Sequence, residues 1–386
     1  MNYISENTQS IAQSKIREMF NLALGYDDAI SFTIGEPDFT ASEEIAIAGC
    51  KAIMEGKSKY SENAGIMPLR EAISQYLKEE IGMEYDPATE ITATTGAMCG
   101  IYQALKVILN PGDEVIVIEP CWTNYVSQIT MCEGKPVSVV AKAENGFNPD
   151  IEDIKKAVTP KTRALIINSP CNPTGTVMKG EVLRQIADLA KEKDFLVISD
   201  EVYKHILFDG AKFESISKIE GMRERTLVVD SFSKTFAMTG WRVGYVAGPT
   251  EIIKNITKLQ ENITACVAMP SQYAAIAALK GSRNHLNMMV DSYKKRRDYL
   301  ASRLEKMPKV EYIKTSGTFY AFISVKGTGL SSDDFAKELL QKKHLIVVPG
   351  TAFGDGGEGF VRISFATSME NIEKGMDLLE EYLKEM

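Results

Sequence analysis

Seven short runs of aliphatic and β-branched residues recur between positions 90 and 247, and most are separated by stretches of helical periodicity. The runs cover residues 90–95 (EITATT), 115–118 (VIVI), 137–140, 164–168 (ALIIN), 195–199 (FLVIS), 226–230 (TLVVD) and 243–247 (VGYVA). Stretches such as 101–109 and 179–193 repeat apolar residues at three- and four-residue steps, the spacing of a helix face. Asn110-Pro111-Gly112-Asp113 ends one helix and starts the next strand. This alternation predicts an α/β fold, a mostly parallel seven-stranded sheet between helices. After about residue 251 long helices follow, over 252–279 and 285–307. A compact α+β segment comes next, with strands near 319–324 and 360–365 and a closing helix over 369–385. No repeat, low-complexity stretch or long polar linker interrupts the chain.

Ligands of open α/β sheets bind at the carboxyl ends of the strands. Here those ends collect the unusual residues. Strand 90–95 leads into Gly96-Ala97-Met98 and a helix, and strand 115–118 into Glu119-Pro120-Cys121-Trp122. Strand 164–168 is followed by Ser169-Pro170-Cys171-Asn172-Pro173-Thr174-Gly175, strand 195–199 by Asp200-Glu201-Val202-Tyr203, and strand 226–230 by Ser231-Phe232-Ser233-Lys234.

Composition narrows the chemistry such an edge performs. With 44 Lys and Arg against 52 Asp and Glu, the net charge of −8 argues against a nucleic-acid partner. No apolar run reaches the ~18 residues that cross a bilayer, and the first ten residues carry no basic or apolar leader. A cytoplasmic protein is therefore expected. The six cysteines lack C-x-x-C spacing and read as buried reduced thiols. Only three histidines are present, none paired at metal-ligand spacing, so no metal is expected and the chemistry should rest on other groups.

Lys234 is the natural alternative. A lysine directly after a strand is ordinarily solvated and protonated, its pKa lying near 10.4. Desolvation lowers that value and frees an amine able to attack an aldehyde. Pyridoxal phosphate needs such a lysine, an acid against its pyridine nitrogen and a cradle for its phosphate. Asp200 suits the acid. Gly96-Ala97-Met98 offers backbone N–H groups at a helix N-terminus, and Ser231, Ser233 and Arg242 add donors.

The same residues resemble a known family. The chain looks like the class I/II aminotransferases of fold type I, in the branch holding bacterial aspartate, aromatic and N-acetyl-diaminopimelate aminotransferases. The likeness runs from Ile34-Gly35-Glu36-Pro37-Asp38-Phe39 to Val361-Arg362-Ile363-Ser364-Phe365. Its most specific stretch is Ser231-Phe232-Ser233-Lys234 through Gly240-Trp241-Arg242-Val243-Gly244. Asn172-Pro173-Thr174-Gly175, Asp200-Glu201-Val202-Tyr203 and Tyr60-Ser61…Gly65…Leu69-Arg70 match as well.

That resemblance implies a pyridoxal 5′-phosphate enzyme in which Lys234 forms the Schiff base and later shuttles the substrate proton. It further implies that Asp200 holds the ring nitrogen, that Asn172 and Tyr203 bond the phenolic oxygen, and that Trp122 stacks on the ring. Gly96, Ala97, Met98, Ser231, Ser233 and Arg242 would hold the phosphate. Tyr60 would reach the phosphate of a neighbouring subunit, which implies a homodimer. Arg362 would grip the substrate α-carboxylate, assisted by Asn172 and the backbone of Gly35. The implied substrates are an L-amino acid and a 2-oxo acid, with 2-oxoglutarate as acceptor. The implied division is a large domain over 46–280 and a small domain built from 1–45 and 281–386. The N-terminal segment 3–39 is expected to close over the site, with Phe32, Phe39 or Tyr3 shaping its pocket.

Other readings compete. A carbon–sulfur β-lyase shares Lys234, Asp200 and Arg362, and a cofactor-binding regulatory domain would require an added basic DNA-binding module, for which the match from about residue 30 leaves no room. Met98 is neutral where some aspartate-preferring members carry lysine, so a preference for aspartate does not follow. Gly354-Asp355-Gly356-Gly357-Glu358-Gly359 satisfies a dinucleotide-binding pattern, but a strand follows it rather than a helix, so a plain loop is expected. The sequons at Asn255 and Asn262 fall in a helical pattern and read as chance matches.

Overall fold

A computed structural model of the chain describes residues 3–11, 13–23 and 25–386. Its strands are β1 (Ile30–Ser31), β2 (Ile91–Thr94), β3 (Glu114–Glu119), β4 (Lys135–Val140), β5 (Thr162–Asn168), β6 (Leu196–Asp200), β7 (Thr226–Ser231), β8 (Gly244–Ala247), β9 (Glu311–Tyr312), β10 (Tyr320–Ser324), β11 (Leu345–Ile346), β12 (Val348–Pro349) and β13 (Phe360–Ser364). Seven of them form one sheet in the order β2-β8-β7-β6-β5-β3-β4. The five from β7 to β4 run parallel, and β8 lies antiparallel between β2 and β7. The expected fold class and all seven expected strands are present.

Helices cover both faces. Helix Gly180–Lys193 buries Leu183, Ile186 and Ala190 with Ile116, Leu165 and Val197 of the sheet. On the other face, helix Gly96–Ile108 packs Ile101, Ala104 and Leu105 with Val117, Ile166 and Val229. Such continuous two-sided burial is what the unalternating apolar runs demanded. A separate core joins residues of the N-terminal segment, Met19 and Phe32, to the C-terminal part of the chain. There β1 pairs with β11, and a four-stranded antiparallel sheet runs β12-β13-β10-β9.

Two expectations need correction. The single helix expected over 252–279 is two helices, Thr250–Ile263 and Met269–Lys280. Ala265 breaks the run with a φ of 58°, and Pro270, which has no N–H to donate, stands in the first turn of the second helix. The cysteines are all unpaired, but only Cys121 and Cys132 are buried and Cys50 is exposed. The glycine-rich stretch at 354–359 is a loop with one short turn of 3₁₀ helix, where Glu119 accepts the Gly356 N–H at 3.0 Å. Asn255 and Asn262 both lie on a helix.

Candidate active site

Strand register gathers the site. Asn168 stands opposite Asp200 across β5 and β6, while Thr94 and Ser231 both stand opposite Gly244 of β8. A Cβ on Gly244 would lie 2.9 Å from the Ala97 nitrogen and 2.7 Å from the Asp230 oxygen, so only glycine lets the start of helix Gly96–Ile108 approach the end of β7 this closely. Asp200 and Ser231 are the last residues of their strands rather than the first beyond them.

These ends open into a cavity of about 820 Å³. Of the residues expected at the site, Gly35, Ala97, Met98, Trp122, Asn172, Asp200, Tyr203, Ser231, Ser233, Lys234, Arg242 and Arg362 line it. Gly96 lies just behind. Its φ is +78°, and a Cβ there would meet Arg242 Nη2 at 2.6 Å, so this glycine lets the guanidinium lie against the helix start. Tyr60 is not part of the lining and is 88% exposed.

Lys234 sits in the short helix Phe232–Thr235, capped by the Ser231 hydroxyl, which accepts the Ser233 N–H at 3.3 Å. Its ammonium donates to the Gly35 carbonyl and lies 5.9 Å from the centroids of Tyr203 and Phe319. Burial brings its pKa down to about 8, with Arg362 and Arg242 acting in the same direction and Glu36 and Asp200 opposing. Asp200 is enclosed, and desolvation raises its carboxyl to about 6 against the hydrogen bonds it accepts from Tyr125 and the Val202 N–H. Tyr203 is buried, with its hydroxyl 3.1 Å from that of Tyr320.

Arg362 is 2% exposed. It donates to Asn172 Oδ1 at 3.0 Å and to the Thr33 carbonyl at 2.7 Å, and its guanidinium lies over the rings of Tyr320 and Phe353 at 4.3 and 5.0 Å. Its Nε has no partner, and among the described residues no carboxylate pairs with it. A buried cation without a counter-ion is costly unless an anionic ligand completes it. None of the three histidines lines the cavity, and the described residues hold no cluster of three or more potential metal ligands.

Several site residues escaped the sequence reading. Tyr125 donates to Asp200 Oδ2 at 2.5 Å and meets Trp122 edge-on at 5.4 Å. Asn168 accepts the Asn172 N–H at 2.9 Å and donates to the Asp200 carbonyl at 3.0 Å. A polar residue ending a buried strand was the available signal for Asn168; nothing local pointed to Tyr125. The N-terminal segment does border the cavity, through Ser14, Ile16, Arg17, Thr33, Ile34, Gly35 and Glu36. The three aromatics expected there do not. Phe32 is wholly buried in the core of the C-terminal part, Phe39 packs edge-on against Tyr293, and Tyr3 is exposed.

The donor set fits pyridoxal phosphate: a buried lysine of lowered pKa, an enclosed acid, and a glycine-started helix beside two serines and an arginine. The cavity thus gathers a buried amine, an enclosed acid and a set of anion donors on one sheet edge. The comparisons agree. The family model for aminotransferase class I and II matches residues 27–379, and the chain belongs to that family. It is 43% identical to an aspartate aminotransferase of Pyrococcus abyssi and 41% identical to an aromatic-amino-acid aminotransferase of Thermococcus litoralis, each over 99% of this chain and 98% of the relative. The solved aspartate aminotransferase of Thermus thermophilus with maleate superposes with a TM-score of 0.95 at 36% identity, covering 99% of this chain and all of that one. The protein is thus an enzyme with transaminase activity, of a pyridoxal-phosphate-dependent family. No helix among the described residues is long and apolar enough to cross a membrane.

Proposed function

We propose that this enzyme moves the amino group of an L-amino acid to a 2-oxo acid, 2-oxoglutarate serving as acceptor, in two successive half-reactions at Lys234. The observation that carries this reading is Arg362, a buried guanidinium whose Nε has no partner and which, among the described residues, no carboxylate pairs with, in the cavity that also holds Lys234. A planar guanidinium binds a carboxylate through two parallel hydrogen bonds, and every amino acid and 2-oxo acid offers one beside its reacting carbon.

Bound pyridoxal phosphate supplies an electron sink that acidifies the α-hydrogen of the amino acid. The chain's residues do the rest. Lys234 would hold the cofactor's aldehyde carbon and carry the substrate proton. Asp200 would hold its ring nitrogen, Tyr203 and Asn172 its phenolic oxygen, and Trp122 would cover the ring. The N–H groups at Gly96, Ala97 and Met98, with Ser231, Ser233 and Arg242, would hold the phosphate. Tyr60 completes that cradle in the neighbouring subunit of a homodimer, a reading supported by the exposed Ile47, Ile53 and Met54 of helix Glu43–Met54. The two-domain division at 46–280 and a cytoplasmic location belong to the same reading, the latter supported by six unpaired thiols.

The test is to mix the holoenzyme with one amino acid and no oxo acid. The bound cofactor is expected to convert stoichiometrically to its amine form and stop there. Continuous release of ammonia and pyruvate from cystathionine would instead mark a β-lyase.

The acceptor's distal carboxylate needs a cation of its own. Met98 supplies none, whereas Arg17 of helix Lys15–Ala23 lines the same cavity. Arg17→Ala is expected to raise the KM for 2-oxoglutarate about tenfold while leaving that for a monocarboxylic oxo acid within about twofold. Equal effects on both acceptors would remove Arg17 from this role.

A further inference from the structure

Just behind the cavity wall two enclosed charges face each other. Lys204 Nζ lies 2.8 Å from Asp230 Oδ2, and the side chains are 1% and 4% exposed. Neither lines the cavity, and the proposed reaction gives neither a task. The pair is nonetheless wired to the groups that have one. Asp230 immediately precedes Ser231, and its Oδ1 accepts the Ser231 N–H at 2.7 Å, while Oδ2 also accepts from the Tyr245 hydroxyl at 3.0 Å. Lys204 immediately follows Tyr203. Its N–H donates to the Glu201 carbonyl at 3.0 Å, and its ammonium lies 4.7 Å from the centroid of Tyr76 and 3.5 Å from the Tyr245 hydroxyl.

The two residues therefore join the segment carrying Asp200 and Tyr203 to the turn carrying Ser231, Ser233 and Lys234. A buried ion pair gains little stability over well-packed apolar side chains of the same volume. What it does supply is a fixed length and direction between two backbone segments, with no net charge.

Taking the aminotransferase reading as its basis, we propose that Lys204 and Asp230 are positioning residues, a buried ion pair that ties the lysine-bearing turn to the Asp200 segment and balances the field behind the cofactor site. The charged surroundings are consistent with this. Asp200 meets the Tyr125 hydroxyl, the Val202 N–H, and the charges of Asp230 and Lys234, and Asp230 acts to raise its pKa. Lys234 meets Glu36, Arg362, Arg242 and Asp200. Around the pair itself stand Tyr76, Tyr245 and Glu201. Burial disfavours the Lys204 ammonium, but Asp230, Tyr76 and Glu201 outweigh it and hold its pKa above the ordinary lysine value. The ammonium of Lys204 is thus set against the side chain of Asp230.

The experiment uses the holoenzyme and three variants, Asp230→Asn, Lys204→Met and the double substitution, and follows the visible absorption of the bound cofactor against pH. Asp230→Asn leaves the ammonium unopposed and is expected to lower the midpoint by about 0.5–1 pH unit; Lys204→Met leaves the carboxylate unopposed and is expected to raise it by a similar amount. The double variant should return to within about 0.2 of the parent midpoint, yet release the cofactor roughly tenfold faster, because the turn has lost its tether. Singles that shift the same way, or not at all, overturn the proposal, as does a double variant with the parent's release rate. A purely structural filler would not give opposite signs. Should one single variant fail to fold, the release rate of the double variant decides alone. A parent protein without the visible band would sink the aminotransferase reading itself, which keeps the two failures apart.

Discussion

Lys234→Ala is expected to lower transamination at least ~10⁴-fold, since under the proposed mechanism one substitution removes both the amine that bonds the cofactor and the base that moves the proton. The protein should still fold, because the side chain's one hydrogen bond is to the Gly35 carbonyl, and it should still hold pyridoxal phosphate through the phosphate cradle. The visible band of the lysine-bound cofactor should be missing. Normal turnover by this variant would end the proposed mechanism. A pH signature goes with it. Burial lowers the Lys234 pKa to about 8, and only the neutral amine attacks an aldehyde. Cofactor loading into the apoenzyme should therefore accelerate about tenfold per pH unit below 8 and level off above it. In Lys234→Ala that rise should vanish. A flat profile in the parent enzyme would mean that the amine is already neutral, or is not the group that reacts.

Arg362→Leu carries the second large effect. The guanidinium is enclosed between Tyr320 and Phe353, with Asn172 and Thr33 fixing two of its nitrogens and its Nε free. Losing a desolvated, charge-assisted pair costs on the order of 3–5 kcal/mol, so kcat/KM for amino acids should fall roughly 10²–10⁴-fold. Arg362→Lys should recover only part of this, because an ammonium cannot present two parallel N–H groups. Specificity of the loss is the control. A primary amine without a carboxylate should react with parent and variant at similar rates. An equal loss for that amine would show that Arg362 supports the architecture of the site rather than the substrate.

The seven sheet strands were legible because burial on both faces leaves a chemically simple trace, runs of aliphatic residues five or so long. The strand-end rule then located Asp200, Ser231 and Lys234 without any coordinates. Their expected roles as cofactor ligands came from the set taken together, acid, amine and anion donors at one edge, and were made specific by the family resemblance, since a lysine after a strand says nothing by itself about what it captures. The helix over 252–279 misled because its apolar spacing continues across the break at Ala265, where only Pro270 gives warning.

Tyr125 was out of reach for a different reason. Its position three residues after Trp122 is ordinary for a helix start, and its bond to Asp200 depends on how that helix sits over the sheet. The N-terminal contribution failed in an instructive way. Large aromatics looked suited to walling a pocket, but Phe32 is spent on the hydrophobic core, and Ile16, Arg17 and Ile34 face the cavity instead. Apolar size marks a residue for burial as readily as for ligand contact.

The tripeptide Thr33-Ile34-Gly35 receives both working cations through its backbone, Arg362 at the Thr33 carbonyl and Lys234 at the Gly35 carbonyl. Neither anchor belongs to a side chain of that tripeptide. Both anchors thus depend on the spacing between the two carbonyls and not on the side chain of Ile34. A one-residue insertion or deletion would move one anchor off its cation while leaving every side chain at the bottom of the site untouched. The strap is constrained as a ruler is, by its graduation and not by its material.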